Sequence, residues 1–311
     1  MKIIYMGSPE FAVPSLQEIA RSEHEIVVVV TQPDRPSGRS LRVQPPAVKV
    51  AAQQLGLPIL QPETTKSTEF VAQLAAYKPD LLVVVAYGEI LRTNLLELSP
   101  AGSVNLHASL LPRYRGAAPI AWAILKGERE TGVTTMRIVK EMDAGPVFLQ
   151  QQCPIDPDDT TATLSTKLAR IGAPLLVQTI DRIEAGTITP APQDETMVSL
   201  APKLKKEDGL IDWKRESATI ARMTRAFDPW PGAFTHFQGK LLKILQAIPA
   251  QIQAAADAPG TCFRITRTSM LIACGEGSSL EIVRVQPENR AAMSAADFAR
   301  GHDITPGSKL G

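Results

Sequence analysis

The chain has 311 residues, about twice a common domain length, so two domains are expected. Its 33 Lys and Arg balance 32 Asp and Glu, which excludes a polymer binder working through overall charge but not one with a local basic patch. With 44% hydrophobic, 21% charged and 5% aromatic residues it reads as an ordered globular protein with too few rings for a broad base-stacking platform.

The opening MKIIYMG runs straight into a strand with no cleavable signal, and no apolar stretch approaches the roughly 18 residues that span a bilayer. A soluble, cytoplasmic protein with no membrane partner is expected. In the first half, residues 2–6, 26–31, 81–86, 104–107 and 134–139 are continuous Val/Ile/Leu-rich runs, as parallel strands buried on both faces require. Residues 15–20, 47–55 and 68–76 have helical apolar spacing, and Gly56 follows the second where a left-handed cap belongs. A further helix over 160–184 completes an α/β, doubly wound, Rossmann-like domain over residues 1–189.

From Gly186 the texture changes. Pro190, Pro192 and Pro202 break the periodicity and lead into Lys203, Lys205, Lys206, Glu207 and Asp208, so residues 190–206 read as a linker. Beyond it come one helix (217–225), an Asp-Pro-Trp-Pro-Gly turn and short alternating stretches at 240–244, 270–274 and 280–285. That pattern predicts an all-β, OB-like barrel domain over 207–311.

Several chemistries lack their residues. The first strand ends at Met6-Gly7-Ser8-Pro9-Glu10-Phe11, with one glycine where a dinucleotide fingerprint needs three. There is no phosphate loop and no nucleophile elbow. The cysteines (Cys153, Cys262, Cys274) form no C-x-x-C pair and the four histidines are scattered, so no metal ligand set is expected.

The most unusual run is Val104-Asn105-Leu106-His107-Ala108-Ser109-Leu110-Leu111-Pro112-Arg113-Tyr114-Arg115-Gly116. On a strand, Asn105 and His107 share one face, at the carboxyl end where open α/β sheets bind ligands. A lone His is commonly a satisfied structural residue, but an Asn beside it and a Pro-bounded loop after it shift the balance toward a site. A second polar segment, Lys140-Glu141-Met142-Asp143-Ala144-Gly145-Pro146, follows another strand, and Asp143 on its own is equally a turn-closing acid. Asn105, His107 and Asp143 offer a donor, an imidazole and a carboxylate without a protein nucleophile. This suits group transfer in which a substrate amine attacks a carbonyl while the amide and a protonated imidazole hold the developing oxyanion.

These residues resemble the 10-formyltetrahydrofolate-dependent formyltransferase superfamily, and specifically its branch that acts on methionyl-tRNA. Asn105-Leu106-His107 with Ser109-Leu110-Leu111-Pro112 and the later Asp143 carry the likeness. So do the opening Met6–Leu16, the loop Thr31–Arg39, the segment Lys206–Trp213 and the turn Arg225–Gly232, in order over nearly the whole chain. The resemblance implies that Asn105, His107 and Asp143 are catalytic. It implies that Ser109, Leu110, Leu111 and Pro112, with backbone around Tyr87, Gly88, Ile90 and Leu91, bind the folate. A formyl group would pass from 10-formyltetrahydrofolate, consumed as co-substrate, to the amino group of methionine on initiator tRNA, for translation initiation. No metal is implied, and a monomer is expected.

Residues 34–49 carry Arg35, Arg39, Arg42 and Lys49 against one acid, Asp34. Composition alone would allow a solvated loop; its length and prolines point to function, and by resemblance it enters the tRNA acceptor end. Ser40-Leu41-Arg42 stands where the family often has a Gly-Lys-Lys run, leaving fewer charges for phosphates. Lys203, Lys205 and Lys206 are expected to assist, because residues 207–311 hold 12 Lys and Arg against 11 Asp and Glu. Trp213 and Trp230 are read as packing groups beside Ile211 and Phe227. A sister activity on an amino sugar nucleotide would share the catalytic triplet and the Asp-Pro-Trp-Pro-Gly turn, whereas the 34–49 loop and the opening segment favour tRNA.

Overall fold

A computed structural model describes residues 1–37, 42–252 and 257–311 and divides them into two compact units. The first comprises Met1–Pro119, Glu130–Pro154 and Ser165–Ala201. The second comprises Ile120–Arg129, Ile155–Leu164 and Pro202–Gly311.

In the first unit the chain runs β1 (Lys2–Gly7), α1 (Val13–Arg21), β2 (Glu25–Val30), a small antiparallel pair of β3 (Arg35–Ser37) and β4 (Arg42–Gln44), α2 (Ala47–Gln54), β5 (Ile59–Leu60) and α3 (Thr68–Ala75). It continues through β6 (Leu81–Val85), α4 (Thr93–Leu96), β7 (Ser103–His107), α5 (Pro119–Lys126), β8 (Glu130–Arg137), β9 (Val147–Pro154) and α6 (Thr161–Glu184). Helices α5 and α6 each begin in one unit and continue in the other. The seven-stranded sheet has the order β5-β2-β1-β6-β7-β8-β9. Its first five strands are parallel, and β6 is buried at all five positions, as its Leu-Leu-Val-Val-Val sequence demands. On one face Ile4, Met6, Val28, Val30, Leu82 and Val84 pack under Phe70 and Leu74 of α3.

Local signals hold where the chemistry is local. The Ser67 hydroxyl accepts the Phe70 N–H at 3.1 Å and caps α3, a contact of about 1 kcal/mol. Gly56 has φ +67°, and the Gly56→Gln53 and Leu57→Ala52 N–H to C=O bonds close α2 as a Schellman turn.

Two expectations change. The strand read at 134–139 lies at 130–137 and is antiparallel to β7, not parallel, with Val104 opposite Arg137 and His107 opposite Thr134. Beyond it β9 adds an antiparallel edge whose Gln150-Gln151-Gln152 stretch has no apolar alternation to betray a strand.

The second unit contains α7 (Ser217–Ala226), β10 (Phe234–Phe237), β11 (Lys240–Pro249), β12 (Cys262–Ile265), β13 (Met270–Ala273), β14 (Ser279–Pro287), β15 (Met293–Ser294) and α8 (Ala295–Gly301). Its strands form an antiparallel half-barrel sheet, β10-β11-β14-β13-β12 with β15 beside β14. Trp213 is buried and donates its indole N–H to the Thr235 hydroxyl at 3.1 Å, so it packs as expected. Trp230, between Pro229 and Pro231, is instead 53% exposed. The early segment 120–129 is bound in here by Trp122 Nε1 donating to Pro202 O at 2.9 Å and Arg222 Nε donating to Leu125 O at 3.0 Å. The three cysteines are buried and none is in a disulfide, and among the described residues no helix is long and apolar enough to cross a membrane.

Candidate active site

At the carboxyl ends of the parallel strands, Ser8 ties three of them together. Its hydroxyl donates to Tyr87 O after β6 at 3.0 Å and accepts the Gln32 N–H after β2 at 3.2 Å. A shallow, open groove lies here, lined by Ser8, Gln32, Pro45, Ala47, Tyr87 and Gly88 among others, and none of Asn105, His107 and Asp143 lines it. Burial, with the nearby Glu89 charge, pushes the Tyr87 hydroxyl up to about 12, so it stays protonated at neutral pH. Ile90 is exposed and Leu91 packs against the apolar core.

Along β7, Leu106 faces α6, where Gly172 leaves it room: a Cβ there would sit 2.7 Å from Leu106 Cδ2. Asn105 and His107 therefore look to the other side of the sheet. The Asn105 side chain is half-buried and has no protein hydrogen-bond partner among the described residues. His107 is buried, and its Nε2 lies 3.0 Å from Tyr114 O. A carbonyl only accepts, so Nε2 carries a proton and Nδ1 is the nitrogen left for chemistry. That Nδ1 lies 3.7 Å from Asp143 Oδ2, beyond hydrogen-bond length but a close ion pair once the ring is protonated.

Asp143 reaches this position by an indirect route. Because β8 is antiparallel to β7, its carboxyl end lies beside the start of β7, roughly 10 Å from the rung that carries His107. Residues 138–146 bridge that distance and return, and Asp143 accepts the Gly116 N–H at 2.8 Å. Asp143 and Tyr114, which face the two ring nitrogens of His107, both have left-handed backbones, φ +53° and +60°. Such conformations are uncommon outside glycine and cluster at functional positions.

The loop after β7 is held by β8 and β9. Thr134 Oγ1 donates to Ser109 O at 2.6 Å and accepts the Leu111 N–H at 3.1 Å, while Gln150 Nε2 donates to Leu111 O at 2.8 Å. Ser109 Oγ donates to Arg113 O at 2.6 Å, Leu111 is buried, and the Leu111–Pro112 peptide is cis. Gly132 of β8 gives Leu110 its space, since a Cβ there would lie 2.5 Å from Leu110 Cδ2. Thr134, Gln150, Gln193 and Ser199 support the site's loops and were missed by sequence reading; Thr134 and Gln150 flank Asp143 in the chain, while Gln193 and Ser199 lie 50 or more residues beyond it.

The basic residues are dispersed. Arg35 is exposed on β3; Arg39 lies outside the described residues, as does the side chain of Arg42. Lys49 is engaged, its Nζ 2.7 Å from Asp34 Oδ2, and Gln61 Nε2 donates to Asp34 Oδ1 at 2.7 Å. The Gln61 hydrogen bond, then Lys49, holds the Asp34 carboxyl below its ordinary value of 3.8. Lys203, Lys205 and Lys206 are all exposed. Among the described residues no three His, Cys, Asp or Glu side chains are grouped to hold a metal ion.

Residues 1–180 match the family model described as formyl transferase, and residues 203–303 the one described as formyl transferase, C-terminal domain. A methionyl-tRNA formyltransferase of Geobacter metallireducens is 44% identical over 100% of this chain and 99% of its own. One of Koribacter versatilis is 47% identical at 100% and 99% coverage. Among solved structures, the sugar 3N-formyl transferase WlaRD aligns with TM-score 0.66 at 21% identity, over 94% of this chain and 99% of its own. HypX from Aquifex aeolicus, solved with tetrahydrofolic acid, aligns with TM-score 0.63 at 19% identity, over 96% of this chain and 47% of its own. At these identities the two structures speak for the shared fold.

Proposed function

The chain belongs to the formyl transferase family, and from that premise we infer that it moves the formyl group of 10-formyltetrahydrofolate onto the α-amino group of methionine carried by tRNA. The observation that carries the reading is the division of labour on β7. His107 commits Nε2 to Tyr114 O and keeps Nδ1 beside Asp143, while the Asn105 amide is unpartnered on the same face.

The folate supplies a formyl carbon bonded to N10. In the transfer the methionyl amine bonds to that carbon, the bond to N10 breaks, the amine gives up one proton and N10 gains one. Asn105 Nδ2 donates to the formyl oxygen as negative charge develops on it, and His107 Nδ1–H adds to that stabilisation once the ring has taken the amine proton. His107 Nδ1, held by Asp143, takes and returns the proton, because Nε2 is occupied. Asp143 is fixed by the Gly116 N–H and keeps the ring oriented through the cycle.

The groove beside Tyr87 and Gly88, and the pinned backbone of Ser109, Leu110, Leu111 and Pro112, support placing the folate against these residues with Ile90 and Leu91 at the rim. The exposed Arg35, with Arg39 and Arg42 in the same loop and Lys203, Lys205 and Lys206 in the second unit, is assigned to tRNA phosphates. Initiator tRNA is the acceptor of this reading and the cytoplasm its compartment, in keeping with three buried cysteines outside any disulfide. A formyl-transfer assay tests it: methionyl-tRNA is formylated, uncharged tRNA and amino sugar nucleotides are not. Formylation of an amino sugar nucleotide alone would overturn it.

A further inference from the structure

Both hydrogen bonds that position the His107–Asp143 pair come from one tripeptide. Tyr114 O receives His107 Nε2, and two residues on Gly116 N donates to Asp143 Oδ2. Tyr114-Arg115-Gly116 has no strand or helix of its own to hold it. It is held from a distant part of the chain, residues 191–201.

The contacts are specific and converge. Ser199 Oγ accepts the Tyr114 N–H at 2.9 Å, and Ser199 O accepts the Arg115 N–H at 2.9 Å. Ala201 N donates to Arg115 O at 2.7 Å. Gln193 uses its whole amide: Oε1 accepts Arg115 Nε–H at 3.0 Å, and Nε2 donates to Asp143 O at 2.8 Å and to Gly145 O at 2.7 Å. The Arg115 guanidinium also grips both oxygens of Glu195, at 3.1 and 2.7 Å, which holds that carboxyl below its ordinary value. Backbone clearance leaves little play, since a Cβ at Gly116 would meet Ala201 O at 2.5 Å and one at Gly145 would meet Arg137 O at 1.8 Å.

We propose that residues 191–201 are a positioning strap, in which Gln193 and Ser199 fix the distance between His107 Nδ1 and Asp143 Oδ2. Gln193 acts on the Asp143 loop and, through Arg115, on the tripeptide that carries His107. Ser199 acts on the same tripeptide at Tyr114. Neither is a catalytic residue. The proposal rests on the roles assigned above to His107 and Asp143. A shift of about 1 Å between proton-transfer partners costs up to roughly a hundredfold in rate.

The test is steady-state kinetics of formyl transfer to methionyl-tRNA on the full chain, with pH profiles of kcat and urea midpoints. Gln193→Ala is expected to lower kcat about 10- to 100-fold, to move the kcat pH profile, and to leave KM for both substrates within about twofold. Ser199→Ala gives a smaller loss in the same parameter, and Ser199→Thr, which keeps the acceptor oxygen, restores it. Gln193→Ala placed on Asp143→Asn adds less than threefold to the loss, because both changes act on one carboxylate. Unchanged kcat and pH profile in Gln193→Ala, or full multiplication of its effect with Asp143→Asn, overturns the proposal. A variant that loses its urea transition is replaced by Ser199→Ala, on which the same readings decide. His107→Ala run alongside separates the two claims: an active His107→Ala defeats the catalytic assignment, while an inactive one beside a fully active Gln193→Ala defeats only the strap.

Discussion

At the scale of single residues, the site works by leaving a few polar atoms unspent. Asn105 has no protein partner among the described residues, and His107 has one nitrogen committed and one facing a carboxylate. If Asn105 is the oxyanion donor proposed above, replacing it with Ala is expected to lower kcat by about 10²–10³, with folate affinity little changed. His107→Ala would remove the proposed proton carrier, for a loss of about 10²–10⁴. Rapid-quench measurement of a single turnover checks both, and a KM effect without a kcat effect would show that these side chains bind rather than catalyse. Asn105 and His107 were legible because strand alternation is a local rule. Thr134 and Gln193 were not: each acts through backbone groups of loops that only the tertiary fold brings near, and an isolated Thr or Gln has no spacing to read.

Elements show a similar division. The Rossmann-like half was readable wherever strands are buried on both faces, and α2 with its Gly56 stop was readable to within a residue. The direction of β8 was not, because an apolar run looks the same in parallel and antiparallel company. The 34–49 segment, read as a basic loop, carries the antiparallel pair β3–β4 and a staple of Asp34, Lys49 and Gln61 at its base. This splits its basic residues into two kinds. Arg35→Ala is expected to raise KM for methionyl-tRNA by a factor that shrinks as salt rises, since it removes an exposed phosphate contact. Lys49→Ala should instead perturb the loop base, with a weaker salt dependence. Because the Asp34 pKa is depressed, its contribution is present at neutral pH and lost as pH falls through the folded value, below 3.8. An NMR titration placing the Asp34 midpoint above 3.8 would remove the staple from the account.

On the scale of the molecule, the two units are not consecutive halves of the chain. The second recruits residues 120–129 and 155–164, so Trp122, Leu125 and Thr161 find partners at Pro202, Arg222 and Ala226. A cut at residue 207 therefore leaves α5 and the start of α6 without much of their packing. We expect a fragment of residues 1–206 to unfold at lower urea concentration than the full chain, and to expose apolar surface to a dye such as ANS. A fragment as stable as the full chain would show that the two segments are self-sufficient. Charge balance gave no hint of this interleaving, because local composition carries no record of which distant segments pack together.

The excursion that carries Asp143 leaves β8 at Arg137 and rejoins the sheet at Val147, opposite Met136, with Arg137 N donating to Pro146 O at 2.9 Å. Departure and return lie on adjacent rungs. An arm rooted this way is fixed at both ends and at its tip: Ile138 packs against the core and donates its N–H to Ser103 O, and Asp143 is gripped by Gly116 and Gln193. The spacing between the carboxylate and the imidazole is thus set by loop length: an insertion or deletion in this arm would carry Asp143 away from His107 while Asn105 and His107 stay on their strand.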